Sequence, residues 1–194
     1  MAPGQLWLVR HGETEWSATG RHTGRTDIPL NTAGRARATA LQATLSAQSF
    51  AWVLTSPLSR ARETCKLAGF GDHAETDDDL QEWDYGDYEG LTTAQIRDRR
   101  PGWSLWRDGC PGGETAADVG ARVNRVIARC LDAEGDALAF SHGHLLRVLA
   151  ARWVDLSPED GALLALETAA VSVLGWEREQ AVVRRWNWTQ PTSG

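Results

Sequence analysis

Short apolar runs and helix-spaced apolar faces alternate along the chain, and this alternation predicts the elements. Leu6-Trp7-Leu8-Val9 is a continuous apolar run, the pattern of a strand covered on both faces, and it stops at Arg10-His11-Gly12. A polar, glycine-containing stretch leads to Asn31, after which Thr32 caps a helix to about Ala47 with Leu41 and Leu45 on one face. Trp52-Val53-Leu54-Thr55 is a second strand ending at Ser56-Pro57, and Pro57 or Leu58 opens a helix that carries Arg60 and Arg62 to Gly69. The acidic segment from Asp72 to Asp79 predicts a solvated turn. Thr92 with Gln95 makes a capping box for a short helix ended by Pro101. Thr115 opens the longest helix, on which Val119, Val123, Val126, Ile127 and Cys130 share a face. Ala137-Leu138-Ala139-Phe140 is a third strand; Ser141-His142-Gly143 follows, then an apolar helix through Leu145, Leu149 and Trp153. Ser157-Pro158-Glu159-Asp160 starts another helix, and Val171–Trp176 pairs with Val182–Trp188 in a hairpin turning near Glu179-Gln180.

Strands alternating with helices predict an α/β fold, a three-layer α/β/α sandwich around a mostly parallel central sheet. One domain is expected over residues 1–194, with a mobile tail from about 189 to 194. In such sheets ligands gather outside the carboxyl ends of the strands. Three strand ends here carry reactive or cationic residues: Arg10-His11, Ser56 with Arg60, and Ser141-His142.

Composition narrows the partners. A net charge of −6 removes any general basic field, so neither nucleic acid nor a membrane is expected as a partner. An anionic ligand must be held by a local cluster, which the Debye length of about 8 Å allows. Lys66 is the only lysine among 20 basic residues. Arginine's planar fork suits phosphate, but only where several converge. The 3 cysteines show no CxxC spacing, which predicts a reduced compartment with neither a disulfide framework nor a zinc site. No basic leader precedes a long apolar run and no run reaches membrane-spanning length, so a cytoplasmic protein is expected. A homodimer is compatible with the chain.

Taken alone, His11 reads first as a core histidine with a satisfied hydrogen bond rather than a catalyst. Its neighbours favour chemistry: Arg10 adds charge, Gly12 lets backbone approach a ligand, and Glu13-Thr14 could orient the imidazole from behind.

Leu8-Val9-Arg10-His11-Gly12-Glu13-Thr14-Glu15-Trp16 resembles the opening motif of the histidine phosphatase superfamily, the phosphoglycerate mutase-like family. The resemblance continues through Thr23-Gly24, Asp27-Ile28-Pro29-Leu30 and Thr32-Ala33-Gly34. It resumes at Thr55–Thr64, Leu80-Gln81-Glu82, Gly86–Gly90, Pro111–Thr115 and Ser141-His142-Gly143, in family order, so it covers about Leu6 to Arg147. It implies His11 as nucleophile, Arg10, Arg60 and His142 as phosphoryl-binding groups, His142 in protonated form, and Glu82 as general acid and base. It places Thr23, Gly24 and Gly143 in the binding shell. Arg62 is a helper or a surface charge, and Ser17 replaces the asparagine usual in mutase-like members. His22, where mutases carry Phe, lines the pocket or fills space. His144 is expected to pack or cap, His73 to be solvated, and Trp83 to lie near substrate. No cofactor or metal is implied, because two arginines and a histidine supply the positive charge.

Trp16-Ser17 and the Glu82–Gly90 segment look most like the acid and sugar-phosphate phosphatases of that family, so a small phosphorylated metabolite is the expected substrate. A cofactor-dependent phosphoglycerate mutase, an alpha-ribazole phosphatase and a non-catalytic phospho-ligand binder are the alternatives. The 23 residues between Gly90 and Glu114 contain no lysine or tyrosine, unlike the inserted segment with which mutases grip substrate.

Overall fold

The computed structural model describes residues 4–189. In chain order the elements are β1 (Leu6–Arg10), α1 (Glu15–Ala18), α2 (Thr32–Leu45), β2 (Trp52–Thr55), α3 (Ser59–Leu67) and β3 (Glu75–Thr76). They continue with α4 (Thr93–Arg99), α5 (Leu105–Asp108), α6 (Ala116–Asp132), β4 (Ala137–Ser141), α7 (Gly143–Trp153), β5 (Val171–Glu177) and β6 (Gln180–Trp188). Short 3-10 turns occupy Asp78–Leu80, Gly86–Tyr88 and Pro158–Leu163.

The sheet order is β3-β2-β4-β1-β5-β6. Strands β3, β2, β4 and β1 run parallel, and β5 and β6 add antiparallel at one edge. The continuous apolar runs are explained by burial on both faces. From β1, Leu6 and Leu8 join Leu54, Ala137, Ala139 and Leu174 under α6 and α7. Trp7 and Val9 turn the other way, to Val53, Leu138 and Phe140 beneath Leu41 and Leu45 of α2 and Cys65 of α3. The result is the expected three-layer α/β/α sandwich.

Several boundaries differ from the sequence expectation for physical reasons. Asn31, not Thr32, caps α2, its side chain accepting from Gly34 N–H at 2.8 Å. Helix α3 starts at Ser59, and its cap comes from afar: Asp27 Oδ1 accepts from Ser59 N–H at 2.9 Å and Ser59 Oγ–H at 2.8 Å. A carboxylate there also complements the helix dipole. The acidic segment contains β3, whose two residues extend the parallel ladder from Leu54–Thr55. The segment after Ser157 coils as a 3-10 turn, and the late hairpin turns at Arg178-Glu179, with Arg178 at φ 55°. Most of the tail expected to be mobile lies outside the described residues. Among the described residues no helix is long and apolar enough to cross a membrane.

The loop after β1 is pressed against the start of α2. A Cβ on Gly12 would lie 2.5 Å from Gly34 O, and one on Gly34 would overlap the Glu13 carbonyl. Helix propensity favours Gly34→Ala by up to about 1 kcal/mol. Overpacking against rigid backbone costs about 1–3 kcal/mol and wins. We expect Gly34→Ala to lower the thermal midpoint by several degrees; a midpoint equal to wild type or higher would refute the tight-contact account.

Candidate active site

Ladder geometry puts His11 beside His142. Arg10 pairs with Ser141 at the end of the parallel β1–β4 ladder, so the next residue of each strand emerges at the same edge. His11 N–H donates to Ser141 O at 2.9 Å, and the imidazole rings of His11 and His142 have centroids 5.1 Å apart. Gly12 N–H donates to Thr64 Oγ1 at 3.0 Å, and Thr64 Oγ1–H donates to Arg60 O at 2.7 Å, tying the His11 loop to α3.

His11 is buried, and its Nδ1 lies 2.7 Å from Gly12 O. A carbonyl only accepts, so Nδ1 carries the proton and Nε2 holds the free lone pair. Burial, then Arg60 and Arg10, push the His11 pKa well below the ordinary histidine value. His11 therefore rests as a neutral imidazole with a bare nitrogen, the form a nucleophile needs.

Arg60 is fully buried, and four of its N–H groups are committed. Nη1 donates to Thr26 O at 3.0 Å, Nη2 to Thr23 O at 3.0 Å and Gly24 O at 2.8 Å, and Nε to His142 Nδ1 at 3.2 Å. Because His142 Nδ1 accepts, His142 Nε2 carries the proton and donates to Ser56 Oγ at 2.8 Å. Burial, with Arg60 next, pushes the His142 pKa well below its ordinary value. Arg10 is less committed: Nη1 donates to Leu166 O at 2.5 Å, while its buried Nε has no partner. Its guanidinium rests on Gly143, where a Cβ would stand 3.2 Å from both Cζ and Nε.

Glu82 sits at the N-terminus of α7. Its Oε1 accepts from Trp83 N–H and Leu145 N–H, both at 2.9 Å, and Oε2 accepts from His144 N–H at 3.1 Å. The backbone before it is gripped by Arg122, which donates to Asp79 O at 2.9 Å, Gln81 O at 2.6 Å and Glu82 O at 3.1 Å. Arg122 also pairs with Glu114 at 2.8 Å, and Glu114 in turn accepts from Asp84 N–H at 2.8 Å.

Arg10, His11, Glu82 and Gly143 line one cavity of about 260 Å³, with Ser17, His22 and Thr23 on its walls. That is below the usual range for drug-sized ligands, about 300–1,000 Å³, and suits a small metabolite. Among the described residues no group of three or more His, Cys, Asp or Glu side chains is placed to hold a metal ion.

The sequence profile described as the histidine phosphatase superfamily (branch 1) matches residues 6–189. The chain belongs to that superfamily. It is 41% identical over 199 residues to an acid phosphatase of Mycobacterium tuberculosis, covering 96% of this chain and 95% of that one. It is 38% identical over 181 residues to a sedoheptulose 1,7-bisphosphatase of Saccharomyces cerevisiae, covering 77% and 67% of the two chains. A solved structure from Mycobacterium tuberculosis superposes with a TM-score of 0.92 at 39% identity, covering 96% of this chain and 98% of that one.

As a histidine phosphatase the chain differs in several details from what its motifs led us to expect. Arg62 does not join the cluster: it is exposed on α3 and lines a separate open cavity with Lys66 and Asp72. Gly24 does not line the central cavity, and its N–H is committed to Glu89 Oε1 at 2.8 Å. Arg60 spends its donors on backbone rather than offering a free fork. Protonated His142 gives way to a neutral ring. Gly12 O, not Glu13 or Thr14, orients His11; Glu13 accepts from Asn31 and Thr14 caps α1. Trp83 is fully buried away from the cavity, with Nε1–H donating to Glu114 O at 2.9 Å. His144, expected to pack or cap, lines the cavity instead, together with Tyr85, Arg147 and Leu166, which sequence reasoning missed. Arg147 had one legible signal: it follows His144 by three residues and so shares its helix face.

Burial also holds His22 at a pKa of about 4 and His144 well below the ordinary value. Between an unfolded value near 6.5 and the folded value, protons bind the unfolded chain more tightly. The stability contributed by neutral burial is therefore complete above about pH 6.5 and lost as pH falls toward 4. For His22 the loss is on the order of 3 kcal/mol. We expect the thermal midpoint to drop on acidification through this window, less steeply in His22→Phe; an identical slope in the variant would remove His22 from the effect.

Proposed function

We propose that this phosphatase hydrolyses a small phosphorylated metabolite, with a sugar phosphate as the leading class, through a phosphohistidine on His11. The observation that carries the reading is the bare Nε2 of a neutral His11 sharing a cavity with an unpartnered Arg10 donor and the Glu82 carboxyl group. Two relatives support it, one named as an acid phosphatase and one as a sedoheptulose 1,7-bisphosphatase.

An anionic phosphoryl group resists a nucleophile until its charge is offset. Arg10 offers Nε, a buried donor left unsatisfied within the protein, and buried unpaired donors are rare unless a ligand completes them. Arg60 contributes its charge from behind, and the Nε2–H of His142 can pass from Ser56 to a phosphoryl oxygen. His11 Nε2 then forms the N–P bond as the P–O bond to the alcohol breaks, and protonated Glu82 gives its proton to the leaving oxygen. In the second step Glu82 takes a proton from water, the new oxygen–phosphorus bond replaces N–P, and His11 returns to its neutral tautomer. The carboxyl group is held by main-chain N–H donors throughout, so it can lose and regain its proton without moving.

The segment after Gly90 supports hydrolysis rather than transfer. Three of its arginines are turned onto their own segment: Arg97 Nε donates to Trp103 O at 2.9 Å, Arg100 pairs with Asp108 at 3.7 Å and Arg107 Nη2 donates to Gly102 O at 2.6 Å. Of that segment only Thr93 reaches the cavity, so nothing there grips a second part of the substrate while water is kept out.

We expect His11→Ala to remove turnover, by about 10⁴-fold or more, with folding intact. Enzyme trapped with substrate should carry phosphate that is lost in acid and kept in base; substantial activity in folded His11→Ala would defeat the covalent route. Glu82→Gln should slow alkyl esters far more than activated aryl phosphates, and equal losses on both would remove Glu82 from the acid role. With 3-phosphoglycerate and catalytic 2,3-bisphosphoglycerate, phosphate release should outpace formation of 2-phosphoglycerate. The reverse would make the chain a mutase.

A further inference from the structure

One wall of the cavity is built from groups that the phosphoryl chemistry does not use. His22 lines it at only 8% exposure, and its buried Nε2 has no hydrogen-bond partner. Across from it stands His144, ring centroids 6.0 Å apart, with Tyr85 stacked at 4.8 Å from His22. Tyr85 OH lies 2.6 Å from His144 Nδ1. The fully buried phenol has no other partner for its hydrogen among the described residues, so it donates and Nδ1 accepts. His144 is thereby fixed as the tautomer with its proton on Nε2, and that N–H is not tied to any described protein group.

We propose that His22 and His144 form a subsite that reads the hydroxyl groups of the substrate's carbon chain. The proposal rests on the phosphatase reading above and names its specificity residues. Both rings are neutral, so the wall offers directional single donors and acceptors rather than charge. Desolvation by burial accounts for this in each case.

Besides Arg10, two arginines line the cavity: Arg21 is exposed and donates from Nη1 to Gly90 O at 3.3 Å, and Arg147 is already occupied. Arg147 stacks its Cζ 4.5 Å over the Trp106 ring and donates to Gly161 O at 3.1 Å and Ala162 O at 3.3 Å. An apolar tail would leave His22 Nε2 unsatisfied, and a tail ending in carboxylate would meet two uncharged rings. A polyol satisfies both nitrogens. Buried polar groups of this kind reject an analogue that lacks the matching hydroxyl, because they are then left unpaired.

The test compares kcat/KM for matched esters: glycerol 3-phosphate against n-propyl phosphate, and erythrose 4-phosphate against n-butyl phosphate. p-Nitrophenyl phosphate reports the hydrolytic chemistry itself. We expect wild type to prefer each hydroxylated ester by tenfold or more, and His22→Phe to cut that preference by about tenfold, the value of a hydrogen bond. Tyr85→Phe, which frees the His144 tautomer, should also reduce it. His22→Asn keeps a polar group at the wall and should retain part of the preference, so misfolding of the Phe variant leaves a usable reading. Wild type that cleaves p-nitrophenyl phosphate but treats the matched esters alike overturns the subsite and leaves the phosphatase reading standing. So does a His22→Phe ratio equal to wild type, or faster turnover of 3-phosphoglycerate than of glycerol 3-phosphate. Wild type that cleaves none of these esters overturns both readings.

Discussion

Buried positive charge without a carboxylate in direct hydrogen-bond contact is the constraint on which this structure turns. Arg60 is fully enclosed, and its nearest acid, Asp27, stands 4.0 Å away and half exposed. Placing an ion there is tolerable only if each of its nitrogens finds an acceptor. The chain meets the condition by wrapping the carbonyls of Thr23, Gly24 and Thr26 around the guanidinium and by lending His142 Nδ1 to its Nε. The shape of the 23–27 segment is thus a solvation shell for Arg60. Its consequences spread: burial, with this charge next, keeps His11 and His142 neutral, and a neutral His11 keeps a free lone pair on Nε2.

The sheet supplies the other half of the arrangement. Adjacent parallel strands lie about 4.8 Å apart, so two residues that follow a registered pair emerge within ring contact of each other. β1 and β4 are registered at Arg10 and Ser141, and His11 and His142 inherit that spacing at 5.1 Å. Helix α7 starts immediately after His142, which brings the free N–H groups of its first turn to Glu82. His11, His142 and the Glu82 carboxyl group are therefore fixed by one ladder and one helix end, both made of main chain and hard to deform.

What the sequence made legible follows from the range of the interactions involved. The runs Leu6–Val9, Trp52–Thr55 and Ala137–Phe140 announce strands, and the polar residues after each announce the site edge, because both signals are local. Capping was legible at Thr92 and Thr115, where the box closes within three residues, and misread at α3, whose cap is Asp27, 32 residues away. A two-residue strand such as Glu75–Thr76 carries no period to read. Arg60 and Arg62 look interchangeable in a motif, yet two steps on a helix turn a side chain by about 200°, which buries one and exposes the other. Tyr85 was invisible as a site residue because its partner lies 59 positions on. The role of Arg122 was hidden for the same reason: it looks like a surface charge on an amphipathic helix until the carbonyls of Asp79, Gln81 and Glu82 are brought to it.

Under the proposed mechanism, Arg122 also lets the site combine rigidity with proton transfer. A carboxyl group that must alternate between acid and base changes its hydrogen-bonding character in each cycle, and a mobile side chain would drift as it did so. Here the main chain on both sides of Glu82 is fixed independently of its charge, by Arg122 before it and by Glu114 after it through Asp84 N–H. The Arg122–Glu114 pair is itself partly buried, so salt loosens it less than it would a surface pair. Under the proposed mechanism the reacting proton would thus be carried by a group whose scaffold does not depend on it.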